Sequence, residues 1–161
     1  MIAIISDSHD NLPALRQMVA IFNELSCSVV IHAGDFVAPF AARELRRLRC
    51  PLRAVFGNCD GEKQGLITAI EGGGLIQDAP YEFSVEGLKI HLRHIPLAPE
   101  TDLIARSDID VYIFGHTHKP SIASKGRLLI LNPGEAGGWL TGKSSYLLLD
   151  PKTKKATLHY L

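Results

Sequence analysis

The chain contains polar clusters that each come directly after a short apolar run. Their potential metal ligands, two Asp, one Asn and four His, are Asp7, His9, Asp35, Asn58, His94, His116 and His118. Carboxylate, amide and imidazole groups together suit Mn²⁺, Fe, Zn²⁺ or Ni²⁺ better than calcium, which takes only oxygen, or copper(I), which takes sulfur. The pattern therefore predicts a site for transition-metal ions.

The number of these side chains favours a pair of ions. They are too many for one tetrahedral ion, but they suffice for two ions if one carboxylate is shared. Asp35 is the natural shared ligand, because it lies between the two groups of ligands. Gly34, Gly57 and Gly115 stand in the same clusters, where they let the backbone turn sharply off a strand beside a crowded site.

The apolar runs before the clusters indicate the strands that must position them. These runs are Met1–Ser6, Ser28–Ala33, Leu52–Phe56, Leu88–Arg93 and Asp110–Phe114. In an open α/β sheet, sites form beyond the carboxyl ends of the strands. All of the clusters can therefore converge on one edge.

Helical patterns alternate with the first strands, and antiparallel strands dominate the last third. Helices are predicted near Asn11–Phe22, with Asn11 as the N-cap, and over Phe36–Leu48, Gln64–Glu71 and Ala98–Ser107. A hairpin joins Tyr81–Val85 to Leu88–Arg93, and later strands cover Ser121–Ser124, Leu128–Leu131, Ser144–Leu149 and Ala156–Tyr160. The predicted fold is α/β, a four-layer α/β/β/α sandwich of two mixed sheets with flanking helices, in a single domain over residues 1–161.

Composition excludes several classes of protein. Seventeen Lys and Arg balance seventeen Asp and Glu among 161 residues, which argues against coating nucleic acid or an anionic membrane. The apolar runs are far shorter than the roughly 20 residues that span a bilayer, and three cysteines do not indicate a disulfide framework. We expect a cytoplasmic protein without a membrane partner, and homo-oligomerisation stays open.

The order of the clusters resembles that of the calcineurin-like metallophosphoesterases. The matching motifs are D-x-H (Asp7, His9), G-D (Gly34, Asp35), G-N-x-D (Gly57, Asn58, Asp60), an isolated His94 and G-H-x-H (His116, His118). The chain is most similar to the small YfcE-like phosphodiesterase branch from archaea and bacteria, which shares the late segment Asn132-Pro133-Gly134-Glu135. The resemblance covers essentially the whole chain.

The resemblance implies a dinuclear phosphoesterase that hydrolyses small phosphodiesters. It places Asp7, His9, Asp35 and His118 on the first ion, and Asp35, Asn58, His94 and His116 on the second. A hydroxide between the ions would attack phosphorus in line with the leaving alcohol. The expected ions are Mn²⁺, with Ni²⁺, Fe²⁺, Zn²⁺ or Co²⁺ as alternatives, and the expected catalytic residues are Asp35, Asn58, Cys59, Asp60 and His94.

This chain departs from the family pattern at two places. Arg93-His94-Ile95 stands where relatives have Thr-His-Gly, so His91 is a rival ligand, and Arg93 is either a phosphate contact or a surface ion pair. Cys59 stands where many relatives have the histidine that gives a proton to the leaving group. Because a thiol replaces an imidazolium poorly, we expect good leaving groups to be preferred.

Several alternatives stay open at this point. The fold could serve as a catalytically weak or inactive binding scaffold, or the protein could be a nuclease, although its neutral charge disfavours that class. Asp60 could orient a metal-bound group or cap a turn, and the loop around Trp139 could form a wall of the site or a contact surface. His32, inside a strand, is expected to pack near the site rather than to ligate.

Overall fold

The structure is a computed structural model, and it describes residues 1–98 and 101–161. The strands are β1 Ile2–Ile5, β2 Val29–His32, β3 Leu52–Val55, β4 Gly74–Gln77, β5 Tyr81–Val85, β6 Leu88–Leu92, β7 Val111–Ile113, β8 Ser121–Lys125, β9 Leu128–Asn132, β10 Ser145–Asp150 and β11 Lys155–Tyr160. The helices are α1 Leu12–Glu24, α2 Pro39–Ala42, α3 Lys63–Ile70 and α4 Thr101–Ala105, and a 3-10 helix spans Arg43–Arg47.

The first sheet has the order β11-β10-β1-β2-β3-β4. Strands β1 to β4 are mutually parallel, whereas β10 runs antiparallel to β1 and to β11. The carboxyl ends of β1, β2 and β3 therefore lie at one edge, where the loops that follow them can meet.

The second sheet has the order β5-β6-β7-β9-β8. Strands β6, β7 and β9 are parallel, and hairpins add β5 and β8 at the two edges. The β5–β6 turn places Glu86 and Gly87 at φ values of 51° and 79°, as a two-residue hairpin loop of type I′ requires.

Three apolar clusters separate the layers. One lies between the sheets and includes Ile4 and Ile31 from the first sheet with Ile90 and Val111 from the second. A second packs α1, α2 and α3 on the outer face of the first sheet, and a third packs Leu103 of α4 against the outer face of the second. Each fully buried aliphatic side chain contributes about 1.5–3 kcal/mol. The four-layer α/β/β/α prediction is confirmed, with α4 as a thin outer layer.

One predicted helix near the site was wrong in extent. The helix expected over Phe36–Leu48 begins only at Pro39 and tightens into the 3-10 helix at Arg43. The backbone N–H groups of Phe36 and Val37 instead donate to Asp60 Oδ1, both at 2.8 Å, and Val37 has a φ of 85°. The first residues of the expected helix therefore form a loop.

The remaining differences concern β4 and α4. Strand β4 was not predicted, because the glycines at 72–74 signal the end of a helix; Gly74 instead opens the strand that pairs with β3. Helix α4 is shorter than the predicted Ala98–Ser107, and Pro99 and Glu100 lie outside the described residues. Within residues 1–98 and 101–161, every helix is too short or too polar to cross a bilayer.

Candidate metal centre

Backbone hydrogen bonds join the loops that follow β1, β2, β6 and β7. The N–H of Asp7 donates to the carbonyl of Gly34 at 2.9 Å, and that of Gly115 donates to the carbonyl of His94 at 3.0 Å. The N–H of His116 donates to Asp7 Oδ2 at 3.1 Å, which links the second sheet to the first. The predicted convergence of the polar clusters on one edge is therefore observed.

Left-handed backbone conformations are concentrated among the predicted ligands. The residues concerned are Asp7 (φ 53°), His9 (38°), Asp35 (60°), His116 (66°) and His118 (57°). A non-glycine residue in this region costs of order 1–3 kcal/mol and persists only where surrounding structure imposes it. Strain at so many ligand positions indicates that the loops are shaped for a site rather than for stability.

Two glycines permit the closest approaches in the site. A Cβ at Gly57 would overlap Asp35 Oδ1, and a Cβ at Gly115 would overlap Ser6 Oγ and lie 2.8 Å from Asp7 Oδ2. Because backbone and carboxylate are this close, any side chain at either position would displace a predicted ligand.

Asp35 lies at the centre of the site. Its Oδ2 atom is 3.6 Å from His9 Nε2 and 3.3 Å from His94 Nε2. Its Oδ1 atom accepts the N–H of Cys59 at 2.8 Å. Burial would raise the pKa of Asp35, but His94 and the Cys59 N–H outweigh burial and hold that pKa far below its usual range. The carboxylate is therefore ionised, and one oxygen faces both histidines.

Asp7, His9 and His118 form the first group of donor atoms. Asp7 Oδ1 is 3.9 Å from His9 Nε2 and 3.4 Å from His118 Nε2. Among the described residues, Asp7 Oδ1 and His9 Nε2 are buried without a hydrogen-bond partner. Burial raises the pKa of Asp7. A buried carboxylate oxygen that faces two imidazole nitrogens fits a cation between them.

Asp35, Asn58 and His94 form the second group. His94 Nδ1 donates to the carbonyl of Ala33 at 2.8 Å, so the proton of a neutral ring resides on Nδ1. The lone pair on Nε2 then faces Asn58 Oδ1 at 2.9 Å and Asp35 Oδ2. Burial opposes protonation of His94, but Asp35 and Asp7 prevail and raise its pKa. His94 Nε2 thus lies beside an amide oxygen and a carboxylate oxygen, a set of donor atoms that fits a second cation.

His116 lies at the rim of this arrangement. Its side chain is exposed and borders the same cavity as His9 and His118. Its ring stands edge-on to His94, with 5.2 Å between centroids. The structure thus brings His116 beside the second group of donors, and its role as a ligand stays a prediction.

Asp60 holds the loop of Asp35 rather than facing the cavity. Its Oδ2 atom accepts the N–H groups of Asp35 at 3.0 Å and Gly57 at 2.7 Å, and its Oδ1 atom accepts those of Phe36 and Val37. Both oxygens are therefore occupied by backbone donors. This geometry assigns Asp60 to positioning Asp35 and not to contact with a reacting atom.

Cys59 borders the cavity as an exposed thiol. Desolvation, followed by the neighbouring Asp35 carboxylate, raises the pKa of Cys59 to about 11. At neutral pH the side chain is therefore a thiol. A thiol in this state can donate a proton but is a poor nucleophile.

Arg93 borders a separate small cavity together with His94 and Lys63. Within residues 1–98 and 101–161 its guanidinium forms no ion pair, and its Nε atom is buried without a partner. The expected surface ion pair is therefore not observed there, and a phosphate contact stays the open alternative.

The two other histidines near the site have structural surroundings. His91 Nδ1 donates to Glu82 Oε1 at 2.8 Å, and its ring packs edge-on against Tyr112, away from the candidate ligands. His32 is fully buried; the N–H of Gly34 donates to its Nδ1 at 3.1 Å, and its Nε2 contacts Ser8 Oγ at 3.0 Å. His91 is thus removed from the metal edge, and His32 supports the loops beneath it.

Glu135 and Asn132 support the site in ways that sequence reasoning missed. Asn132 Nδ2 donates to the carbonyl of Gly115 at 3.0 Å and to Thr117 Oγ1 at 2.9 Å, which fixes the loop of His116 and His118. Glu135 Oε1 lies 3.3 Å from His118 Nδ1. The segment Asn132-Pro133-Gly134-Glu135 was the available signal, but no role could be read from it.

Comparison with known proteins identifies relatives of this chain. Residues 1–154 match the sequence profile of the calcineurin-like phosphoesterase superfamily domain. Phosphodiesterase MJ0936 of Methanocaldococcus jannaschii is 35% identical over 96% of this chain and 95% of its own length. Phosphodiesterase YfcE of Escherichia coli strain K12 is 28% identical over 90% and 84%. The solved structure of an archaeal phosphodiesterase superposes with a TM-score of 0.92 at 34% identity, covering 99% of both chains.

The match extends over the strands and over the loops that carry the predicted ligands. The sequence resemblance to the YfcE-like branch is confirmed, and divalent metals are the cofactors of this family. From its sequence, its fold and its converging donor atoms, the chain belongs to the calcineurin-like phosphoesterase superfamily.

Proposed function

We propose that this chain is a phosphodiesterase that works with two divalent cations, Mn²⁺ foremost, on small phosphodiesters. The observation that carries the proposal is the position of Asp35 Oδ2 between His9 Nε2, at 3.6 Å, and His94 Nε2, at 3.3 Å. One carboxylate oxygen with a group of donors on either side suits two neighbouring cations. The names of the relatives support the substrate class.

The predicted ligands divide into two groups that share Asp35. Asp7, His9 and His118 would hold the first cation, and Asn58, His94 and His116 the second. When bound, two such cations polarise phosphoryl oxygens and lower the pKa of the water that attacks phosphorus. Nitrogen and oxygen donors together favour borderline ions such as Mn²⁺, Fe²⁺, Ni²⁺, Co²⁺ and Zn²⁺ over Ca²⁺.

The remaining polar groups of the site keep these ligands in place. The carbonyl of Ala33 fixes the tautomer of His94, and Asp60 fixes the backbone of Asp35. Such supporting contacts typically change metal affinity or activity 10–100-fold when removed. Cys59 stands at the cavity wall, where its thiol can give a proton to the departing alcohol.

The cavity has a size appropriate to a small diester. It has a volume of about 390 Å³, and its lining includes His9, Asn58 and His118. Ligand sites typically enclose about 300–1,000 Å³. The binding scaffold considered above is not favoured, because the relatives are named phosphodiesterases and the ligand loops carry strain that a scaffold does not need.

Metal analysis joined to a diester assay tests the proposal. Purified protein should bind two divalent ions by mass spectrometry of metals, hydrolyse bis-p-nitrophenyl phosphate, lose activity in chelator and regain it with Mn²⁺ better than with Ca²⁺. Asp35→Asn should weaken the binding of both ions and lower activity, whereas Asp78→Asn, at an exposed ion pair with Lys63, should leave both unchanged. Full activity after exhaustive chelation would contradict the proposal.

A further inference from the structure

One wall of the cavity is apolar and takes no part in holding cations. Trp139 and Leu140 border the same cavity as His9 and His118. The two residues are 64% and 77% exposed. Adjacent large apolar side chains that stay in contact with water commonly mark a binding surface.

The indole ring of Trp139 is fixed beside the metal edge. Its Nε1 atom donates to the carbonyl of His9 at 2.8 Å. Two residues earlier, the N–H of Gly137 donates to the carbonyl of Asp7 at 2.9 Å, and Asn11 Nδ2 donates to the carbonyl of Gly137 at 2.6 Å. The Trp139 loop is therefore bound to the loop that supplies Asp7 and His9.

A buried carboxylate holds the other side of this loop. Glu135 accepts the N–H of Leu140 at 3.0 Å and that of Thr141 at 2.9 Å. Burial would raise the pKa of Glu135, but these N–H donors outweigh it and keep the pKa below its usual range. Because both sides of the loop are held, Trp139 and Leu140 form a preorganised surface. Binding of a ligand there therefore costs the protein little conformational entropy.

We propose that Trp139 and Leu140 bind the planar ring of an ester group of the substrate, either a simple aryl ring or a nucleobase. This inference rests on the proposed function, since the cations would hold the phosphate while the indole stacks on the ring. Stacking on an aromatic side chain is worth about 1–3 kcal/mol per base. A second copy of the chain is a weaker occupant, because a specific interface buries about 800 Å² per partner, far more than two side chains offer.

The fluorescence of the protein provides a direct test. Trp139 is the only tryptophan of the chain, so its emission has a single source. In Mn²⁺-loaded protein, phenyl phosphate and uridine 5′-monophosphate should change that emission saturably, whereas ribose 5-phosphate, which has no aromatic ring, should not. Tighter binding of uridine 5′-monophosphate would identify a nucleotide ester, and tighter binding of phenyl phosphate a simple aryl ester.

Calorimetry on variants measures the contribution of the ring. Trp139→Ala should weaken phenyl phosphate binding about 5- to 150-fold and leave the affinity for inorganic phosphate unchanged. Trp139→Phe should retain most of the phenyl phosphate affinity. Ile122→Ala, at an exposed position on β8, is the matched control and should change neither affinity.

Cyclohexyl phosphate separates stacking from general apolar contact, because its ring has a similar size but is not flat. Equal affinities for phenyl and cyclohexyl phosphate would overturn the inference. The inference would also be overturned if Trp139→Ala changed the molar mass of the protein in light scattering but left its affinity for phenyl phosphate unchanged. The surface would then serve as a contact with a second copy of the chain. If the wild-type protein neither binds phosphate nor hydrolyses diesters, the proposed function itself fails. If the wild-type protein hydrolyses diesters but Trp139→Ala binds phenyl phosphate as tightly as the wild type does, only this inference fails.

Discussion

Glu135 Oε1 lies 3.3 Å from His118 Nδ1, on the side of the imidazole that faces away from Asp7. Nδ1 forms no hydrogen bond there, but the negative charge of Glu135 favours the tautomer with its proton on Nδ1, which leaves Nε2 free for a metal. The same carboxylate holds the Trp139 loop through Leu140 and Thr141. Glu135 thus connects a predicted metal ligand with the surface proposed to bind the ester ring.

Replacement of Glu135 by Gln should therefore weaken metal binding and disturb the loop together. We expect Glu135→Gln to lower Mn²⁺ affinity about 10–100-fold in calorimetry and to shift the emission of Trp139. Glu71→Gln, at an exposed position after α3, is the control and should change neither. Unaltered Mn²⁺ affinity in Glu135→Gln would contradict the role given to this carboxylate.

Asp35→Asn should be more damaging than His94→Ala. The first change removes charge from both groups of donors, whereas the second removes one nitrogen from one group. We expect the difference in kcat/KM to be on the order of 10²-fold or more. Metal analysis should show both ions weakened in Asp35→Asn and one in His94→Ala.

His91→Ala serves as the control for that comparison, because His91 contacts Glu82 and Tyr112 rather than the metal edge. It should retain the metal content of the wild-type protein. If His91→Ala instead lost an ion while His94→Ala kept both, the ligand assignment would be wrong.

The identity of the leaving group should control the rate of the wild-type protein. The Cys59 thiol, with its pKa raised to about 11, is a weak proton donor, and general acid assistance is typically worth about 10²–10⁴-fold. Aryl diesters should be cleaved well and alkyl esters slowly. Cys59→His should raise the rate on alkyl esters more than on nitrophenyl esters in steady-state assays.

Cys59→Ser tests the alternative in which the thiol is the nucleophile. Because attack does not depend on Cys59 in our proposal, this variant should retain most of its activity on nitrophenyl diesters. Loss of all activity with both metals still bound would refute the proposed mechanism.

Stability should depend on pH through His32. Burial, followed by the nearby His94, lowers the pKa of His32 to about 3, whereas an unfolded histidine titrates near 6.5. Between these values the unfolded chain takes up a proton that the folded chain does not. His32 thus adds a term to the free energy of unfolding that falls by about 1.4 kcal/mol per pH unit as the pH decreases from about 6.5.

Denaturant titrations in chelator at several pH values measure this slope. His32→Gln keeps an acceptor for the N–H of Gly34 and a donor for Ser8, so it should fold while losing this part of the pH dependence. His159→Gln, which removes the histidine beside Tyr146, should keep the full slope. An identical slope in His32→Gln and the wild-type protein would contradict the assignment.

Most strands and the convergence of the site could be predicted from the sequence. Runs such as Ile2–Ile5 and Val29–His32 are apolar because both faces are buried, and the polar residues must follow them at the sheet edge. Asn11 was also predicted as the cap of α1, and its Oδ1 atom accepts the N–H of Ala14 at 3.1 Å.

The parts that escaped prediction depend on distant contacts. The stretch from Phe36 looked helical because its local composition allows a helix, but Asp60, more than twenty residues away, takes its N–H groups. The positions of Glu135 and Asn132 depend in the same way on loops from the other sheet. Local sequence patterns contain no information on such distant partners. The roles of Asp60, Glu135 and Asn132 could therefore be recognised only from the three-dimensional structure.

The order of strands has a consequence for synthesis of the protein. Strand β1 lies between β2 and β10, and the loop after β1 receives the N–H groups of Ala136 and Gly137. A nascent chain that has emerged only as far as β7 thus has several predicted ligands but neither the strand nor the loop that holds Asp7 and His9 in place. Because chains are made from the N-terminus and contacts of large sequence separation form late, the ribosome must release β10 before these two ligands reach their strained conformations. Metal binding by Asp7 and His9 should accordingly follow the emergence of β10.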